Sequence, residues 1–150
     1  MTMTPGAWMK SELHSQPEVW ARAAELTAER DLLPAAGQRI AVIGCGTSWF
    51  MAQSYAALRE GAGLGETDAF AASEAFLDRD YDAVIAITRS GTTSEVLEIL
   101  GDLKGRIRTI GIVGDTSSPL VDLADDVIGL PFADEKSVVQ TRFATTALTF

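Results

Sequence analysis

Thr88, Arg89, Ser90, Gly91, Thr92 and Thr93 stand together between two apolar stretches. Hydroxyls and a flexible backbone free of bulky side chains are the donors a phosphate takes, with Arg89 as an optional added charge. The residues before them (Ala83, Val84, Ile85, Ala86, Ile87) read as a buried strand, and those after (Val96, Leu97, Ile99, Leu100, Leu103) recur at helical spacing. The loop therefore opens a helix, whose first N–H groups lack partners and whose dipole favours an anion. Thr92 and Glu95 match a capping box, so helix initiation alone accounts for Thr92. Thr88, Ser90, Gly91 and Thr93 remain for a ligand.

A second such turn lies upstream in "GCGTSWF", 44–50, where Thr47 and Ser48 repeat the hydroxyl pair in the equivalent place. Gly44 and Gly46 begin a dinucleotide fingerprint, but Trp49 occupies the third glycine position; with Glu74 as the acid for a ribose, that reading stays open beside a plain strand-to-helix turn. Cys45, with no second histidine to activate it, reads as a small buried filler. His14 reads as a surface residue, and one histidine with one cysteine cannot build a zinc site. Trp8, Trp20 and Trp49 read as packing residues.

The elements that must hold these loops follow from the pattern. The 150 residues, 47% of them hydrophobic, suffice for one core. A formal charge of −9 disfavours nucleic acid, so an anion must be met locally. No run of 18 apolar residues suggests a membrane span, and the first ten residues lack a signal-peptide core, which leaves a cytoplasmic setting by default. Ser15 and Glu18 around Pro17 predict a capped helix running to about Arg30. Strands are predicted at 39–44, 67–72, 83–88, 108–113 and 126–130, with helical segments or turns between most of them. "GDTSSPL", 114–120, reads as a turn before a short helix and a secondary candidate for the pocket rim. The alternation predicts an α/β fold, a three-layer αβα sandwich around a five-stranded parallel sheet, with the ligand outside the strands' carboxyl ends. A last helix begins within 135–150, with no stop signal before Phe150, and its Phe143, Ala147 and Leu148 call for a covering surface in a second lobe or a second copy.

Four stretches in order resemble the SIS (sugar isomerase) domain, the phosphosugar-binding fold of glucosamine-6-phosphate synthase and of tagatose-6-phosphate ketose/aldose isomerase: "MKSELHSQP" (9–17), "GCGTS" (44–48), "TRSGTT" (88–93) and "EKSVVQTRFATTAL" (135–148). The resemblance implies a flavodoxin-like fold, with an N-terminal helical segment over 1–38 and a phosphosugar-binding lobe over 39–150, the first of two. It implies phosphate contacts at Thr88, Arg89, Ser90, Gly91 and Thr93, and sugar-side contacts at Cys45, Gly46, Thr47, Ser48, Val138 and Gln140. Arg89 stands where the synthase has glutamine, and the last motif looks more like the isomerase and deaminase branch. The implied activity is an aldose–ketose isomerase, deaminase or deglycase acting on an amino or glycated sugar 6-phosphate, in a cytoplasmic homodimer without a cofactor. The alternative is a phosphosugar-sensing regulatory module. The base is expected from a second lobe or a neighbouring subunit; within this chain Glu135 is the one carboxylate considered, and ordering of its own loop is the plainer role for it.

Overall fold

A computed structural model describes residues 6–150; residues 1–5, the start of the 1–38 segment, lie outside it. Five strands, β1 (Ile40–Gly44), β2 (Thr67–Ala71), β3 (Ala83–Thr88), β4 (Arg108–Val113) and β5 (Asp126–Gly129), form one sheet in the order β2-β1-β3-β4-β5. All four pairings are parallel. Helices α1 (Ala7–Ala24), α2 (Thr27–Arg30), α3 (Thr47–Gly61), α4 (Ser94–Leu103), α5 (Leu120–Leu123) and α6 (Arg142–Thr149) complete the chain.

Because successive strand residues point to opposite faces, the continuous apolar runs feed two cores at once. Ile40, Val42, Ala83, Ile85, Ile87, Ile110 and Ile112 face one side and meet Ala52 of α3 with Phe143 and Ala147 of α6. Ala41, Ile43, Val84, Ala86 and Val113 face the other and meet Val96, Leu100 and Leu103 of α4 with Leu120 of α5. This is the three-layer sandwich the alternation predicts. The strand order reverses direction at β1 and β3, so the switch point lies between their carboxyl ends.

Three expectations need correction. The first helix starts at Ala7, not at Ser15, and gives way at Ala24 before the single turn of α2. Pro17 lies inside it because Gln16 Nε2 donates to Leu13 O at 3.2 Å, the carbonyl that the missing N–H of Pro17 would otherwise serve. Ser15 Oγ turns back to Glu12 O at 2.7 Å and caps nothing. The last helix starts only at Arg142, after a non-helical 135–141. Its Phe143 and Ala147 are already buried against the chain's own sheet, while Leu148 is half-buried.

Trp20 and Trp49 are half-buried, the first donating from Nε1 to Thr145 Oγ1 at 3.0 Å and the second stacking on Phe50. Trp8 differs: it is exposed, with Lys136 Nζ above its ring. His14 is exposed, as its place in the sequence suggests. The buried Arg59 serves the fold: its guanidinium donates to the carbonyls of Ala35, Gln38 and Gly65 and to Thr67 Oγ1, tying α3 to both ends of the 35–38 turn and to β2.

Candidate functional site

Gly44 pairs with Ile87 in the sheet, so the turn after β1 and the turn after β3 emerge side by side at the switch point. Gly44 lets α3 start hard against the strand: a Cβ there would lie 2.7 Å from the Ser48 carbonyl carbon. Ser48 N–H and Trp49 N–H fold inward to Cys45 O and Gly46 O. The first turn of α3 is therefore largely closed upon itself, with Thr47 half-buried and Ser48 buried at its start.

The β3 turn is built differently. Thr88 Oγ1 accepts from Gly91 N–H at 3.3 Å and lies 3.3 Å from Thr93 Oγ1, so the two hydroxyls converge across the turn. Ser90 Oγ accepts from Thr92 N–H at 3.3 Å and Thr92 Oγ1 at 3.0 Å. The capping box does not form. Thr93, not Thr92, is the N-cap of α4, and its hydroxyl stays with Thr88 instead of folding over the helix end. Intrahelical pairing opens with Leu97 N–H to Thr93 O, and the N–H groups of Ser94, Glu95 and Val96 have no partner within the helix. Gly91 sits at φ +62° with its α-carbon pressed on Ser118, which ties the turn to 114–120. The predicted phosphate set Thr88, Ser90, Gly91 and Thr93 is thus gathered at an uncapped helix end.

Arg89 goes elsewhere. Its Nη1 donates to Glu135 O at 2.8 Å and pairs with Asp134 Oδ1 at 3.3 Å. Cys45 is half-buried, less enclosed than expected of a filler. Burial raises its thiol pKa, the charge of Glu95 raises it further, and a hydrogen bond with the Ala72 backbone works the other way. Such a thiol is protonated and unreactive at neutral pH.

Residues 134–141 form a segment held from three sides. Glu135, 2% exposed, accepts from Thr141 N–H at 2.9 Å, Thr141 Oγ1 at 3.1 Å and Arg142 N–H at 3.2 Å, so its carboxylate caps α6. Glu12, 3% exposed, accepts from Lys136 N–H at 2.6 Å and from the N–H and hydroxyl of Ser137. Arg142 donates to Asp134 O and, at 3.1 Å, to Ser15 Oγ. Val138 at the tip is 98% exposed, and Gln140 turns a buried, unpaired Oε1 inward. The role of Glu12 has no local signal in the sequence, because its partners lie more than 120 residues away.

A cleft of about 400 Å³ lined by Asp78, Arg79, Tyr81, Asp82 and Arg106 opens at the amino ends of β3 and β4, away from these turns. Ligands of such sheets sit at the other end. No helix of the described residues is long and apolar enough to cross a membrane.

A search of curated proteins finds no match to the sequence. Among solved structures, a protein of Escherichia coli CFT073 in complex with A5P superposes with a TM-score of 0.75 at 21% identity, covering 93% of this chain and 81% of that one. Tagatose-6-phosphate ketose/aldose isomerase from Escherichia coli gives a TM-score of 0.78 at 19% identity, over 99% of this chain and 47% of that one. Glucosamine-6-phosphate deaminase from Thermotoga maritima gives 0.73 at 24% identity, over 93% and 44%. The chain thus spans less than half the length of these last two. At such identities the likeness is one of fold. The profile of the SIS domain matches residues 32–150, from just after α2 through both turns and the segment 134–141. On that match the chain belongs to the SIS domain family.

Proposed function

We propose that this chain is the phosphosugar-binding lobe of an aldose–ketose isomerase, deaminase or deglycase acting on an amino or glycated sugar 6-phosphate. The observation that carries the reading is the uncapped amino end of α4 at the switch point, where Thr88 and Thr93 hydroxyls converge beside free backbone N–H groups. A dianion there would meet neutral donors and the helix dipole, which suits a chain whose formal charge is −9. The sugar would then extend toward Cys45, Gly46, Thr47 and Ser48 on one side and Val138 and Gln140 on the other.

The phosphate grip fixes the substrate and lowers the entropic part of the barrier. Proton transfer between C1 and C2 through an enediol or enolamine further needs a positioned carboxylate. Glu135 does not suit that role, since both of its oxygens already serve the start of α6. The base in this reading comes from a second lobe or a neighbouring subunit, as in a homodimer. The engagement of Glu135 favours, as the second reading, a module that senses a phosphosugar without turning it over.

Thermal melts test the binding. Fructose 6-phosphate or glucosamine 6-phosphate at about a hundred times its Kd adds roughly 2.7 kcal/mol of stability. The free sugars and NAD should add none. Thr93→Ala should cut the shift clearly while lowering the ligand-free stability only by the roughly 0.5–1.5 kcal/mol of the lost Thr88–Thr93 hydrogen bond. Equal shifts from free sugars, or an intact shift in Thr93→Ala, would remove the phosphate assignment. Exchange of the fructose 6-phosphate C1 proton or the glucosamine 6-phosphate C2 proton with solvent deuterium separates enzyme from sensor. Robust exchange by the 150-residue chain would locate a base within it.

A further inference from the structure

We propose that Arg89 is a positioning residue that straps the segment 134–141 to the phosphate turn, and is not itself a phosphate ligand. The proposal rests on the reading of that turn given above, but its decisive measurement does not. Arg89 is pinned at its backbone first: its carbonyl accepts from Gly114 N–H at 3.1 Å and Asp115 N–H at 2.9 Å. The side chain then crosses the end of β4 over Gly114. A Cβ at Gly114 would lie 3.0 Å from Arg89 O, 3.3 Å from Arg89 Cγ and 3.2 Å from Asp134 Oδ1, so glycine leaves the passage the side chain needs. On the far side the guanidinium meets Asp134 Oδ1 and Glu135 O. Its Nε is buried without a partner, so that edge does not face the solvent from which an anion arrives.

The other anchors of the segment, Glu12, Ser15 through Arg142, and Glu135, tie it to α1 and α6. Among the contacts described, Arg89 joins it to the phosphate turn. Residue 89 therefore couples the place where the phosphate is gripped to the place where Val138 and Gln140 would meet the sugar. Removing the side chain should loosen the sugar side and leave the grip on phosphate alone intact.

The experiment compares the full chain with Arg89→Gln. Amide hydrogen exchange without ligand decides the strap itself: Lys136, Ser137 and Thr141 should exchange at least about tenfold faster in the variant, which loses the two charge-assisted contacts to Asp134 and Glu135. Amides of β3 should be unaffected. Asp134→Asn, which keeps Arg89, should open the same amides by a smaller factor and serves if Arg89→Gln folds poorly. Unchanged exchange at 136–141 in both variants overturns the proposal. With inorganic phosphate and fructose 6-phosphate as probes, Arg89→Gln should keep its Kd for phosphate within about twofold and lose about tenfold for the sugar phosphate. Equal losses for both would make Arg89 a phosphate ligand and overturn the proposal. If the wild-type chain bound neither probe, the phosphosugar reading would fail, while hydrogen exchange would still decide the strap.

Discussion

Gly91→Ala puts two independent costs on the phosphate turn. The residue sits at φ +62°, where a Cβ meets the following carbonyl, and for an L-residue this costs about 1–2 kcal/mol. The new methyl would also lie 1.9 Å from Ser118 Oγ and 2.5 Å from Ser118 Cβ, with Val113 Cγ2 at 3.0 Å. Ser118 is 5% exposed, so it has little room to withdraw. Forcing a methyl into such a site costs a further amount of about 1–3 kcal/mol. The expected loss is therefore about 2–5 kcal/mol, a large share of the total for a domain of this size. Urea denaturation measures it as a fall in midpoint at constant slope. The two parts separate in a double-mutant cycle with Ser118→Gly, which removes the atoms in collision but leaves φ as it is. The double variant should recover the steric part and retain the backbone part. A loss below about 1 kcal/mol in Gly91→Ala would refute the argument, as would a cycle showing no coupling between 91 and 118.

Three other perturbations have defined signs. Glu135→Ala leaves the part-buried N–H groups of Thr141 and Arg142 without their acceptor and should cost about 2–4 kcal/mol in the same assay; a cost below about 1 kcal/mol would show that water replaces the carboxylate. Cys45 should react slowly with iodoacetamide at neutral pH because burial and then Glu95 raise its pKa, and Glu95→Gln should speed the reaction by lowering it; a wild-type rate above that of free cysteine would contradict this. Asp68 is held below the usual carboxylate range, first by the Tyr81 hydroxyl and also by Arg79. Its stabilising share is full above the unfolded pKa near 4 and is lost as pH falls through the folded value. The stability gap between wild type and Tyr81→Phe should therefore narrow as pH drops below about 4, and a gap constant with pH would exclude Asp68 as its source.

The three central strands were legible because they are short, apolar and buried on both faces, so composition alone marks them. The runs 83–88 and 108–113 coincide with β3 and β4 residue for residue. Helix starts were less legible, because several residues nearby satisfy the same local rule. Ser15, Pro17 and Glu18 make a good helix start in isolation; that Gln16 can stand in for the N–H of Pro17 is visible only when the turn is built. Thr92 and Thr93 are equally good caps by type. The choice falls on Thr93 because the hydroxyl of Thr88, at the end of a strand fixed by the sheet, reaches Thr93 and not Thr92.

The segment 134–141 lies beyond sequence reading for a stronger reason. Its conformation is set by Glu12 from α1, by Arg89 from the turn after β3 and by Glu135 from within. Two buried carboxylates and a half-buried guanidinium are expensive to desolvate, and they persist because each carboxylate finds several donors, and the guanidinium a backbone carbonyl and a carboxylate, within the segment or at the start of α6. Those backbone groups carry no residue-type signature, so nothing in the letters of 134–141 announces the partners. What the letters do carry is the charge: Glu12, Arg89 and Glu135 are the residues an apolar core would not contain unless something required them. A buried or half-buried charge partnered by backbone groups therefore marks where a fold of this kind fixes a loop, and here all three converge on the loop beside the phosphate turn.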